Sequence, residues 1–286
     1  LATQTPRLLN RDGSTNFVRV GLEPRLYSDL HHYLMRSSWT RLFLLIFAVY
    51  IITNGLFAML YFMDGGVENA KTFGDHFFFS VHTMMTIGYG TMAPKSLTSN
   101  LLVAAQALFG LLYTATTTGL FFSKFSRPTA RVLFSKVAVI TQFDGAPALM
   151  FRMANERTNQ IVEAELTVAV ARFESTKEGD RMRRFYALEL HRSKSAIFAL
   201  SWTAIHSIDE KSKLFNETAE SFNDKRLEII VSFVGIDEIS SQTVHARHSY
   251  TASEIIWNAR FADIMVQHEG GHPMIDYRKF HDVVPS

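Results

Sequence analysis

Between two long apolar runs stands a five-residue stretch, Thr86, Ile87, Gly88, Tyr89 and Gly90, whose chemistry resides in its backbone. Successive carbonyl oxygens point at one axis only if alternate residues accept unusual backbone angles, and Gly88 and Gly90 accept φ > 0 without a Cβ penalty. Carbonyls so arranged replace the hydration shell of a bare cation. Thr86 adds a hydroxyl at the inner end, while Ile87 and Tyr89 are free to point backwards and pack. A second stretch, His268, Glu269, Gly270, Gly271 and His272, matches the HExxH zinc-hydrolase pattern. That chemistry needs a helix with both imidazoles on one face, and Gly270, Gly271 and Pro273 favour a turn, so a hairpin loop is expected instead. His245 and His248 are read as packing or surface residues. Zero cysteine excludes a disulfide framework, thiolate metal sites and cysteine nucleophiles. No enzymatic site, metal site beyond the loop, or nucleic-acid partner is expected.

The elements that must hold the loop follow from charge and hydropathy. The mean hydropathy of +0.05 averages two different parts. Leu42 to Met63 is 22 uncharged, mostly apolar residues, about the length that crosses a ~30 Å hydrocarbon core. Leu97 to Ser123 is a second uncharged run, but it holds Gln106, Thr114, Thr116, Thr117 and Thr118, which should face protein or water and not lipid. Between them, Phe73 to Thr86 is apolar enough to re-enter the membrane and too short to cross it. Irregular backbone can follow at membrane depth only where it lines a watery cavity. Six arginines precede Leu42 (Arg7, Arg11, Arg19, Arg25, Arg36, Arg41), and Lys124, Arg127, Arg131 and Lys136 follow Ser123. The connection 64–96 carries only Lys71 and Lys95 against Asp64, Glu68 and Asp75. The positive-inside rule therefore puts both termini in the cytoplasm. The polar N-terminus lacks signal-peptide features and is expected to be retained. Leu26, Tyr27, Leu30, Tyr33 and Leu34 recur at helical spacing opposite Asp29, His32 and Arg36, which fits a helix at the membrane surface or an amphipathic helix docked on the soluble part.

From Val137 onward, short strands alternate with turn residues. Val162, Ala164, Leu166, Val168 and Val170 alternate with Glu163, Glu165, Thr167 and Ala169, and Leu227, Ile229, Val231 and Phe233 do the same against Glu228 and Ser232. Period two means half-buried strands, and several of them mean a sandwich. Only Glu217 to Lys225 reads as a short helix. Pro128 is expected to stop the inner helix. The fold class is thus membrane α plus all-β, with domains 1–41 (N-terminal segment), 42–125 (outer helix 42–63, pore helix and loop 73–90, inner helix 97–125) and 126–286 (cytoplasmic sandwich).

The chain resembles the inward-rectifier potassium channels, and specifically their bacterial (KirBac) group. The stretch 86–90 is one residue from TVGYG, and the likeness extends through KFSRP at 124–128, FRMANERTNQIVEA at 151–164, HSID at 206–209, ARHSY at 246–250, EIIWNARF at 254–261 and DYRKFH at 276–281. The resemblance implies a homotetramer in a bacterial cell (inner) membrane. Each subunit would have a surface slide helix, an outer helix, a pore helix and filter, an inner helix, and an immunoglobulin-like cytoplasmic domain. K+ would be its filter ion and gating would be voltage-independent. By the same resemblance His82 stands behind the filter where the family usually has Glu, and Thr91 follows the filter where many potassium channels have Asp. A less selective cation channel, or a tethered ligand sensor whose pore does not conduct, are the competing readings.

Gln106, Gly110, Thr114, Thr118 and Phe122 are four apart, a flank expected to face the axis. By resemblance Thr114 occupies the cavity position that controls rectification, and Phe122 sits at the bundle crossing, where four rings can close an aperture by dewetting. Gly110 and Gly119 are hinge candidates or simply permit close packing. Arg36, Arg41, Lys124, Arg127, Arg131 and Arg157 either gather on anionic phospholipid or only carry the positive-inside signal. Glu163 matches the family's acidic position in the cytoplasmic pore, and the second such position falls on Val234. Mg2+ or polyamine block, and hence rectification, should be weak.

Overall fold

The computed structural model of the chain describes residues 7–10, 13–14, 16, 20–21, 30–126, 130–267 and 273–286. The chain divides into two compact units, Gly21–Arg127 and a second made of Leu1–Val20 with Pro128–Ser286. The first residues thus group with the β-rich unit, a division the sequence pattern did not anticipate.

In the membrane unit α1 covers Leu30–Arg36, and Leu34 and Met35 are buried against Leu42 of the next helix. Leu26, Tyr27 and Asp29 of the expected surface helix lie outside the described residues. Helix α2 spans Trp39–Asp64, starting three residues before the uncharged run because Ser38 caps it and accepts from the Arg41 N–H. Its 26 residues extend about 39 Å. Gly65, at φ 62°, ends it by returning its N–H to the Tyr61 carbonyl. Helix α3, Phe73–Met84, is about 18 Å long, too short to span, and opens with a Thr72–Asp75 capping box. Helix α4, Leu97–Phe125, runs without interruption through Gly110 and Gly119 and ends on Ser126. Asp64 binds the Ser96 and Ser99 hydroxyls at 2.5 and 2.7 Å, pinning the end of α2 to the start of α4. Two short strands, β1 (Val67–Glu68) and β2 (Ala93–Pro94), pair across the base of the connection. Pro128 lies outside the described residues.

The other unit is a β-sandwich. One sheet contains β3 (Val132–Phe134), β4 (Ala138–Phe143), β5 (Ala146–Asn155), β9 (Ser201–Ser207) and β12 (Ile255–Trp257). The other contains β6 (Ile161–Ser175), β7 (Arg181–Leu188), β8 (Lys194–Phe198), β10 (Glu228–Asp237) and β11 (Gln242–Thr251). Leu149, Phe151, Met153 and Trp202 of the first sheet meet Leu166, Val168, Val231 and Phe233 of the second in one core. Helix α5 is Ala219–Asp224, capped by Thr218, and Phe222 buries into the sandwich. The C-terminal residues cover the first sheet's outer face, where Ala259 and Phe261 pack on Ala148 and Met150.

The alternation along β6 fails at its start. Val162 is half-buried and Ile161 is the core residue, because Glu163, at φ 49°, is an extra residue that shifts the register against β10 between Val234 and Ile236. The motif 268–272 lies outside the described residues, but β14 (Met265–Gln267) and β15 (Pro273–Ile275) on either side pair antiparallel with Gln267 opposite Pro273. His248 is a packing residue, stacked on Phe134 with ring centroids 5.0 Å apart, and His245 is exposed.

Candidate functional site: the pore loop and the inner helix

Helix α3 aims its C-terminus at the loop, and the chain turns at once. The Thr86 N–H bonds the Thr83 carbonyl at 3.1 Å and the Ile87 N–H bonds the His82 carbonyl at 2.8 Å. Backbone angles then alternate, with φ of 54° at Thr86, 61° at Gly88 and 80° at Gly90, each in the left-handed region. Thr86 joins the two glycines there although it carries a Cβ, which composition did not reveal. Its hydroxyl donates to the Met85 carbonyl at 2.7 Å. Tyr89 leans back onto His82 edge to face at 5.0 Å and is 72% exposed, while Ile87 is 44% exposed. His82 and Tyr89 border a cavity of about 60 Å³ between α3 and the loop, room enough for ordered water. On the far side the Thr91 carbonyl is held by the Asn69 amide at 2.9 Å.

The inner-helix flank is corrected. Gln106 is fully buried against α2 and α3 and Gly110 is buried against α3, whereas Thr114, Thr118 and Phe122 are exposed, Phe122 at 71%. Steps of four residues advance 40° each around a helix of 3.6 residues per turn, so residues 106 and 122 differ by about 160° and belong to opposite faces. Gly110 is also a close-approach position, because a Cβ there would lie 2.4 Å from the Met84 carbonyl oxygen. Nothing lies within 4 Å of a Cβ at Gly119.

The basic residues are not equivalent. The Lys124 ammonium donates to the Met35 and Ser37 carbonyls at 3.2 and 2.5 Å and lies 5.4 Å from the Trp39 ring, so it caps the end of α1. Arg36 and Arg41 are exposed in the same unit, Arg131 is exposed in the other, and Arg127 lies outside the described residues. Arg157 is half-buried near Asp237, whose carboxyl is held below its usual range by the Ser240 N–H, with Arg157 adding to the effect. Glu163 is exposed at its bulge, and Val234 shares that face, opposite Glu165.

Two long apolar helices, a short helix between them and a loop with alternate residues in the left-handed region define the class of pore-loop channels, here with a β-sandwich attached. Residues 42–127 match the ion channel family model and residues 132–285 that of the inward rectifier potassium channel C-terminal domain. The chain is 46% identical to the inward rectifier potassium channel Kirbac3.1 of Paramagnetospirillum magnetotacticum, over 97% of this chain and 96% of that one. It is 28% identical to the G protein-activated inward rectifier potassium channel 2 of Mus musculus (96% and 71% covered) and 30% identical to channel 4 of the same animal (90% and 67%). The chain belongs to the inward rectifier potassium channel family. It is a membrane protein that conducts K+, and it is not an enzyme.

Proposed function

We propose that four copies assemble with their Thr86–Gly90 loops around one axis, forming a K+-selective pore in a bacterial inner membrane with both termini in the cytoplasm. The alternating left-handed backbone at residues 86, 88 and 90 carries this reading, since it is the geometry that turns successive carbonyls to one side. Phe122, exposed near the end of α4, supplies the gate, and Gly119, free of neighbours, is where the helix can yield. Anionic phospholipid meets Arg36 and Arg41, each worth about 1 kcal/mol at the inner leaflet. Lys124 passes that contact to α4 by holding the end of α1. Rectification by Mg2+ or polyamine is weak, because Thr114 offers only hydroxyls and Glu163 lies in the wide cytoplasmic path.

A weakly selective cation channel is the second reading, favoured by His82, which meets Tyr89 by ring packing. Reconstitution in liposomes decides between the two. K+ flux blocked by Ba2+, excluding Na+ and altered by anionic phosphoinositide is expected. Equal K+ and Na+ flux favours the second reading, and no flux in any lipid overturns both.

A further inference from the structure

Four side chains in the membrane unit, Tyr61, Gln106, Ser80 and Asn54, are fully buried and joined in series. The Tyr61 hydroxyl donates to Gln106 Oε1 at 2.8 Å. Gln106 Nε2 donates to Ser80 Oγ at 2.6 Å and to the Ser80 carbonyl at 3.0 Å. The opposite amide orientation would set Gln106 Oε1 against that carbonyl, so the direction is determined. Ser80, receiving at its oxygen, gives its own hydrogen to Asn54 Oδ1 at 2.9 Å. Asn54 Nδ2 then reaches the Tyr50 carbonyl at 2.9 Å and Met84 Sδ at 3.1 Å. The series begins on α2, crosses to α4 and α3, returns to α2 and ends on Met84, the last residue of α3.

One turn farther along α4, Gly110 meets the same residue from the other side. Its missing Cβ leaves the notch that the Met84 carbonyl fills, with Met84 Cγ 3.2 Å from the same point. Thr86, which opens the filter, is two residues beyond Met84. We infer that Gln106 and Gly110 are positioning residues for ion selection, clamping the last turn of α3 to the inner helix and so fixing where the first filter carbonyls stand.

This inference rests on the pore reading above and differs from a hinge at Gly110 in what it makes sensitive. A Cβ at residue 110 would have to move the Met84 carbonyl by about 1 Å to reach ordinary contact, beyond the ~0.5 Å tolerance of a preorganised site. A hinge substitution would change how often the gate opens and leave the filter as it was.

The test reads the filter and the gate separately in reconstituted channels. Ba2+ block affinity and the K+/Na+ permeability ratio report the filter, and total K+ flux reports the gate. Gln106→Leu is expected to weaken Ba2+ block about tenfold, the scale of a lost buried hydrogen bond, Gly110→Ala is expected to weaken it by displacing the Met84 carbonyl, and both should lower the permeability ratio. Tyr61→Phe should do less, because the Gln106 links to Ser80 remain. If Gly110→Ala does not assemble, Gln106→Leu carries the test alone, since it is close to glutamine in volume and adds no atom at the Gly110 notch. Wild-type Ba2+ affinity and permeability ratio in Gln106→Leu would overturn the inference, whatever the flux. Failure of the pore reading itself would look different: the unmodified protein would show no Ba2+-sensitive K+ flux.

Discussion

Gly88 stands at φ 61° with nothing within 4 Å of the position a Cβ would take. Within the chain a methyl group there meets no neighbour, so Gly88→Ala carries the backbone cost, about 1–2 kcal/mol for an L-residue in the left-handed region. In the proposed tetramer four copies would bear it together. K+-selective flux should be lost, and an unchanged reversal potential under K+/Na+ gradients would show that the loop's angles do not set selectivity. Glu163 and Thr114 carry the second residue-scale argument. A ring of carboxylates in a low-dielectric cavity holds a multivalent cation far more strongly than a ring of hydroxyls. Thr114→Asp should therefore strengthen spermine block from the cytoplasmic side at positive voltage, and Glu163→Gln should weaken what block exists. Strong rectification in the unmodified channel, with no change in Thr114→Asp, would contradict the charge argument. The left-handed positions of Gly88 and Gly90 were legible in sequence because only glycine is neutral at φ > 0. Thr86 and Glu163 were not, since their left-handed angles are imposed by a loop and a bulge that residue type does not announce. Gly235 was the missed hint at that bulge: a Cβ there would sit 2.4 Å from Ile161 Cγ2.

Helices were legible wherever charge was absent. Both long apolar runs became α2 and α4, and the short one became α3, its start set by a Thr72 cap. Spacing along α4 was less informative, because a run of residues four apart drifts 40° per step and its two ends, 106 and 122, come to lie on opposite faces. Burial separates the two roles: Gln106 and Gly110 pack, while Thr114, Thr118 and Phe122 are presented outward. Phe122→Ala removes an exposed ring without opening a packed core, so tetramers should survive and basal K+ flux should rise severalfold if those rings close the pore. Equal or lower flux from intact assemblies would place the gate elsewhere. Ser38 and Lys124 show why the ends of elements were harder to read. A cap and a carbonyl-bound ammonium depend on which chain ends meet, and a single sequence does not disclose that.

At the scale of the whole molecule, the sandwich carries a proton-linked term at a buried histidine. His206 is buried, with Nδ1 2.6 Å from the Glu189 carbonyl and Nε2 2.8 Å from the Ser212 hydroxyl. A carbonyl only accepts, so Nδ1 carries the hydrogen, and in the neutral ring Nε2 accepts from Ser212. Burial pushes its pKa below the ordinary value of 6.5, against the smaller opposing effects of the Glu189 carbonyl and the nearby Asp209 and Glu189 charges. His191 acts in the same direction as burial. The unfolded chain therefore binds more protons than the folded one once pH drops toward 6.5, and stability rises with pH across that window. The contribution is complete above pH 6.5 and is lost as pH falls through the lower folded-state value. His281 is shifted the same way, mainly by burial, so the unmodified protein alone does not isolate His206. His206→Gln does, because glutamine retains a donor and an acceptor and does not titrate. Thermal unfolding of the chain in detergent, followed by tryptophan fluorescence with Trp202 in the sandwich core, should show the unmodified chain losing Tm between pH 7.5 and 5.5 and His206→Gln losing less. Parallel pH dependence in the two proteins would mean that His206 is not the group whose protonation loosens the sandwich.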